Sequence, residues 1–239
     1  MMVEVLRGML DAFVELFWPT RCVGCDALGS LLCPECEAAL PLIDPVTACP
    51  HCGAPFGSLV CTQCTPSRAE GDFPFTGARA AGRFEGAVER MLTLYKDEGE
   101  TRLAGPIARL LALAAGEDWR SWADVLVFIP DSPEAYRRRG FDHMERVAAL
   151  VGRMTHIEVC DALVCGKSAD QRALGRGGRA RNVQGAFVLV DDARPRIRGR
   201  HVLLVDDVLT TGVTLSEATR VLLEGGAEEV RAVVCARVW

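Results

Sequence analysis

Residues 201–226, HVLLVDDVLTTGVTLSEATRVLLEGG, leave few ways for this chain to fold. Val202-Leu203-Leu204-Val205 is a continuous apolar run, too short for a helix, and it predicts a strand buried on both faces. Asp206 and Asp207 follow where that strand is expected to leave the sheet. Adjacent carboxylates repel each other and cost desolvation, so structure alone rarely asks for them there. Residues 208–214 form a hydroxyl-rich turn whose Gly212 is free to take a positive φ. Thr214-Leu215-Ser216-Glu217 has the form of a capping box, so a helix is expected to start there and to stop at Gly225-Gly226. Strand, acidic pair, turn and helix N-terminus together make an anion cradle at the carboxyl edge of a sheet. A phosphate joined to a vicinal diol would satisfy every part of it. Backbone N–H groups and the hydroxyls of Thr210, Thr211 and Thr214 would take the phosphate, and Asp206 and Asp207 the ribose hydroxyls or Mg²⁺. The alternative is an ordinary βα turn with a chance acidic pair.

The cysteines are unevenly spread. Of 11 in the chain, eight lie between positions 22 and 64 as Cys-x-x-Cys knuckles: Cys22/Cys25, Cys33/Cys36, Cys49/Cys52 and Cys61/Cys64. Four thiolates from two knuckles fill a tetrahedral zinc site, so two Zn²⁺ use all eight with none left over. Sequential pairing is preferred because each short spacer closes one ribbon; a cross-braced arrangement stays open. A disulfide framework is the structural alternative, disfavoured in a reducing compartment. Cys160, Cys165 and Cys235 are apolar-flanked and read as buried small side chains.

The remaining chain alternates between helix and strand patterns. Residues 1–19 carry an amphipathic helix, with Met2, Val5, Leu6, Met9, Leu10, Phe13, Leu16 and Phe17 on one face. Residues 20–70 form the cysteine-rich ribbons, too small for a core of their own, so metal must supply most of their folding energy. A larger α/β domain is expected over 72–239. Its strands are 77–84, 125–129, 157–159, 188–190, 202–205 and 230–237, and its helices 86–96, 101–116 and 133–155. Buried strands alternating with helices imply a parallel sheet covered on both faces. Residues 167–181 are polar, Gly-rich and without hydrophobic period, the mark of a long functional loop. The net charge of −5 argues against a broad nucleic-acid-coating surface. No apolar run is long enough to span a membrane, and Glu4, Asp11 and Glu15 interrupt the first apolar stretch, so a cytoplasmic location is expected.

The run VLLVDDVLTTGVT resembles the phosphoribosyl pyrophosphate signature of type I phosphoribosyltransferases. Four further stretches narrow the likeness to ComF-type proteins, double-zinc-ribbon members of that superfamily linked to DNA uptake in competence. These are Leu16-Phe17-Trp18-Pro19 before the first knuckle; Tyr95-Lys96 with Gly99 and Leu103-Ala104; Arg139-Gly140-Phe141; and the loop from Gln171 through Leu174, Arg176, Arg179, Arg181, Asn182 and Val183 to Gly185-Ala186-Phe187. The resemblance implies a type I phosphoribosyltransferase core behind a small N-terminal double zinc ribbon, binding phosphoribosyl pyrophosphate with Mg²⁺. It implies catalytic roles for Asp206, Asp207, Lys96 and Arg179. Ligand contacts would come from Asp206, Asp207, Thr210, Thr211, Gly212, Thr214, Pro130, Arg139, Lys167, Gln171 and Asn182. Single-stranded DNA and competence helicase machinery would be partners. Basic clusters at Arg137-Arg138-Arg139, between Arg172 and Arg181, and at Arg194, Arg196, Arg198 and Arg200 would meet DNA, with Phe56, Phe73 and Phe75 as the few aromatic platforms. The acceptor is open, and a ligand-sensing, single-strand-binding accessory with weak or no turnover is the second reading. Two stretches depart from the family pattern. Val127-Phe128-Ile129-Pro130 stands where Val-Pro-Val-Pro is usual, and Asp142-His143 where Asn-Gln is usual. Asp131 and Asp142 would add negative charge beside a pyrophosphate.

Overall fold

The computed structural model describes residues 19–59, 61, 62, 64, 73–166 and 185–239. The amphipathic helix and the polar loop, with Lys167, Gln171, Arg176, Arg179, Arg181 and Asn182, lie outside the described residues.

Seven strands are present among them: β1 (Gly77–Arg83), β2 (Val125–Phe128), β3 (Glu158–Cys160), β4 (Leu163–Cys165), β5 (Phe187–Leu189), β6 (His201–Leu209) and β7 (Glu229–Arg237). Five make one sheet in the order β1-β7-β6-β2-β3, every pair parallel. Alternate side chains of the central strands enter two separate cores. Leu126, Phe128, Leu203, Val205 and Val233 pack on one face with Met91, Tyr95, Ile107, Leu111 and Val147. On the other, Val125, Val127, Val202, Leu204 and Val234 meet Leu215, Ala218 and Leu222. That is why these strands read as unbroken apolar runs.

The helices are α1 (Pro34–Ala38), α2 (Gly86–Asp97), α3 (Ala104–Trp122), α4 (Pro133–Arg139), α5 (His143–Thr155), α6 (Arg194–Ile197) and α7 (Val213–Glu224). Several expectations are corrected. The helix expected over 101–116 runs on to Trp122 through a kink at Gly116 (φ 67°), because Ala115 and Trp119 continue its buried face. The single helix expected over 133–155 is two. Gly140, left-handed at φ 79°, ends α4, and the Asp142 carboxylate caps α5 by accepting from the N–H groups of Met144 and Glu145. The strand expected at 188–190 is not in the main sheet: β5 pairs antiparallel with β4, flanking residues 167–184. The capping box does not form either. Gly212 caps α7 without a side chain, and the Glu217 carboxylate instead accepts from the N–H of Gly185 at 2.6 Å.

The cysteine-rich segment is tied to the sheet. Leu42 bridges Gly82 antiparallel, Ile43 N–H donates to the Ala81 carbonyl and Arg83 N–H to that of Pro41. The ribbon thus covers the outer edge of β1, and Val23 and Leu40 enter the same core as α2 and α3.

Candidate functional site: a buried acid pair beneath an open turn

β6 does not stop at Val205. It carries the acid pair within it to Leu209, because β7 keeps pairing as far as Arg237. β2 ends sooner, with Phe128 opposite Val205. Asp206 and Asp207 are therefore held by a ladder on one side and open on the other, each only 7% exposed.

Asp207 has partners on both oxygens and a lone-pair site to spare on Oδ1. Its Oδ1 accepts from Val208 N–H at 2.7 Å. Its Oδ2 accepts from Lys96 Nζ at 2.5 Å, in the last turn of α2, and lies 3.1 Å from His143 Nε2 at the start of α5. On the other side of the ring, His143 Nδ1 lies 2.9 Å from Asp131 Oδ2, while Asp131 Oδ1 accepts from Arg139 at 2.5 Å. A row of alternating charge results: Lys96, Asp207, His143, Asp131, Arg139. Both ring nitrogens face carboxylate oxygens, which suits an imidazolium donating twice. Burial alone would depress the His143 pKa, yet the hydrogen bonds and charges of Asp131 and Asp207 raise it to about 9. Burial likewise works against Asp131, and its bonds to His143 and Arg139 bring it down to about 2. Asp207 is also lowered despite burial, through His143 and Lys96. Asp206 goes the other way. Burial and the neighbouring Asp207 charge push it up to about 8. The pair is thus split into one firm anion and one carboxyl short of positive charge.

Above the pair, Thr210, Thr211 and Thr214 are exposed and Gly212 is left-handed at φ 81°. A Cβ on Gly212 would lie 2.8 Å from the Phe73 ring, so this position needs glycine. Pro130 ends the neighbouring β2 connection, half-buried. Arg139 points inward, its side chain 6% exposed and paired with Asp131 and, at 3.7 Å, with Asp97. Asp131 is neutralised within the row, and Asp142 caps α5 while accepting from Asp131 N–H at 2.6 Å. Of the two acidic residues expected to add negative charge here, Asp131 is paired with cations, whereas Asp142 is held only by backbone N–H groups. His143 is the residue whose role sequence reading missed. It stood out only as a departure after Arg139-Gly140-Phe141, and its signal was an ionisable ring where a neutral amide was expected.

Among the basic clusters, Arg196 and Arg200 both bind Glu158, and Arg137 binds Glu134. Phe75 is buried and stacked on Phe73 at 4.7 Å, so neither is a free platform; Phe56 is 73% exposed.

The eight cysteines group sequentially, Cys22/Cys25/Cys33/Cys36 and Cys49/Cys52/Cys61/Cys64, the sulfurs of each set all within 4.8 Å of one another. Separations of 3.7 Å (Cys25–Cys33), 3.6 Å (Cys49–Cys64) and 3.6 Å (Cys52–Cys61) match the edge of about 3.8 Å that tetrahedral Zn–S bonds dictate. The donor set and spacing fit zinc at both sites, and no cross-bracing occurs.

Sheet, turn and ribbons together define a phosphoribosyl transferase domain carrying a double zinc ribbon. The two families are matched directly, the Phosphoribosyl transferase domain over residues 167–238 and the Double zinc ribbon domain over 13–65. Along most of its length the chain is similar to proteins named for DNA utilization and competence. It is 28% identical to DNA utilization protein YhgH of Escherichia coli (strain K12), over 77% of this chain and 82% of that protein. It is 27% identical to competence protein ComFC of Streptococcus pneumoniae, over 84% and 86%. With competence protein F of Haemophilus influenzae the identity is 26%, over 90% and 96%. Among the described residues no helix is long and apolar enough to cross a membrane.

Proposed function

We propose that this chain binds phosphoribosyl pyrophosphate with Mg²⁺ and transfers its phosphoribosyl group to a nitrogen acceptor, in the service of DNA uptake. The observation that carries the reading is the buried Asp206/Asp207 pair lying under an exposed threonine–glycine turn at the carboxyl end of the central strand. The Thr210, Thr211 and Thr214 hydroxyls and the first N–H groups of α7 bind the 5′-phosphate. Asp206 and Asp207 accept from the ribose hydroxyls and so orient C1. Lys96, already on Asp207, fixes that carboxylate and lends positive charge where pyrophosphate leaves. The turn after β2, ending at Pro130, offers backbone donors to the diphosphate. A carboxyl pushed to about 8 for want of a counter-charge suits a divalent cation, so Asp206 and Asp207 would hold the Mg²⁺, which neutralises the diphosphate. Lys167, Gln171, Arg179 and Asn182, outside the described residues, complete the reading as a cover that excludes water.

Phosphoribosyl pyrophosphate with Mg²⁺ should raise the melting temperature, and Asp206→Ala with Asp207→Ala should abolish the rise while leaving zinc content unchanged. A double variant that binds as tightly as wild type would end this reading.

The Asp131–His143–Arg139 row favours a second reading. Arg139 charge is spent inside the protein rather than on a diphosphate, as suits a ligand-sensing accessory that binds single-stranded DNA and turns over weakly. The names of the relatives, DNA utilization and competence proteins, support a role in handling DNA under either reading, and a cytoplasmic place beside competence helicase machinery is part of the same proposal. A pyrophosphate-release screen across bases, amines and oligonucleotides separates the two. Release with any acceptor favours transfer. Oligonucleotide binding that weakens with salt and with phosphoribosyl pyrophosphate, without release, favours the accessory.

A further inference from the structure

Arg237, near the end of β7, is 5% exposed, yet no carboxylate is among its partners within the described residues. Its Nε donates to the Cys52 carbonyl at 3.1 Å. Its Nη1 donates to the carbonyls of Leu209 at 3.0 Å and Thr210 at 2.7 Å, and also meets that of Val238. One guanidinium therefore joins a zinc-knuckle residue to the two residues that open the phosphate turn. A second bridge runs beside it. Phe73 packs against the cluster of Cys49, Cys52, Cys61 and Cys64, and its ring fills the space that any side chain at Gly212 would need. Four thiolates around one Zn²⁺ leave two net negative charges, a counter-charge suited to a buried cation nearby. Among the described residues the first ribbon is tied elsewhere: Asp26 pairs with Arg90 of α2, and Thr20 accepts from Arg102, while the linker at Pro41, Leu42 and Ile43 meets the sheet edge.

We propose that the second zinc ribbon is a positioning element for the phosphate turn, acting through Arg237 and Phe73, so that zinc in that ribbon and a sugar phosphate in the turn bind cooperatively. This extends the phosphoribosyl pyrophosphate reading and rests on it for the identity of the ligand, though not for the mechanical link. Zinc fixes the Cys52 backbone; Cys52 and the turn share one rigid fork; a loosened ribbon frees both the fork and the ring under Gly212. Linkage is reciprocal, so ligand in the turn must also retain zinc in the second ribbon.

Hydrogen exchange at residues 209–214 of the full chain tests the link without any ligand. Cys61→Ser, which breaks the second zinc site, and Arg237→Met should each speed exchange there by about tenfold, while Cys33→Ser in the first site leaves it slow. Wild-type exchange in Cys61→Ser, or an equal rise in Cys33→Ser, overturns the proposal. Should Arg237→Met fail to fold, Arg237→Lys carries the test: faster exchange with two zinc equivalents retained supports it, and unchanged exchange overturns it. With phosphoribosyl pyrophosphate and Mg²⁺ added, one of the two zinc equivalents should be held more tightly in equilibrium competition with a chelator, by about 5- to 150-fold, and Arg237→Met should lose that gain. If wild type binds no phosphoribosyl pyrophosphate by calorimetry, the ligand assignment falls, and the exchange comparison still decides the link.

Discussion

The two ends of the cradle are built on opposite plans. The phosphate end, residues 210–214, is backbone and hydroxyl, exposed above a glycine with no room for a side chain. The diphosphate end, from Pro130 to His143, is packed with charged groups that satisfy one another: Asp131 with Arg139, His143 with Asp131 and Asp207. One end presents its hydroxyls to solvent. The other has supplied its own counter-ions, so a diphosphate there must trade against internal ion pairs.

Breaking the phosphate end should have the largest effect. Gly212→Ala combines a left-handed backbone with a Cβ 2.8 Å from Phe73, and should cost about 2–4 kcal/mol in urea denaturation besides abolishing ligand-induced stabilisation. Next comes the charged row. The His143 pKa is raised to about 9 in the folded chain, so its contribution is complete below the unfolded value near 6.5 and disappears as pH rises through about 9. His143→Gln should therefore destabilise by on the order of 2 kcal/mol at pH 6, with the deficit closing by pH 10. Asp131, lowered to about 2, contributes above pH 4 and loses its share only as pH falls towards 2, so the alkaline loss belongs to the histidine. A deficit that is flat from pH 6 to 10 would show that the ring is not charged. Smaller again, Lys96→Met leaves Asp207 with His143 and should weaken phosphoribosyl pyrophosphate about tenfold by calorimetry, with little change in stability. Smallest is Arg196→Ala. Its pair with Glu158 is half-exposed, should be worth less than about 1 kcal/mol, and lies at neither end, so ligand affinity stays put.

The phosphate end was legible in the sequence and the diphosphate end was not. Residues 202–214 place an apolar run, an acid pair and a glycine in direct succession, and the fold keeps them together in that order. Even there the extent of β6 was misjudged, since whether a strand ends at Val205 or Leu209 depends on how far a distant partner accompanies it. The diphosphate end is assembled from α2, the β2 connection, α4 and α5, and no local pattern announces that Lys96 and His143 will converge on one oxygen of Asp207. The knuckles were read correctly because zinc chemistry is local in spacing. Their attachment to the sheet edge was not, because a single antiparallel bridge at Leu42 has no period to detect.

The strand order has a temporal meaning as well. Thr76 N–H, just before β1, donates to the carbonyl of Val230 in β7, and side-chain and backbone atoms of Thr76 reach the same carbonyl across 154 positions of chain. β1 thus has no sheet partner on its inner side until β7 has been synthesised, whereas the ribbon segment that covers its outer side emerges ahead of it. During translation the knuckles can take up zinc early, but the sheet they lean on must wait, and its closure is a long-range, slow event. A ribosome stalled between β1 and β7 would hold a metallated ribbon beside a strand open on its inner side, and the two glycines and two arginines of Gly77–Arg83 keep that open strand from pairing with the wrong partner while it waits.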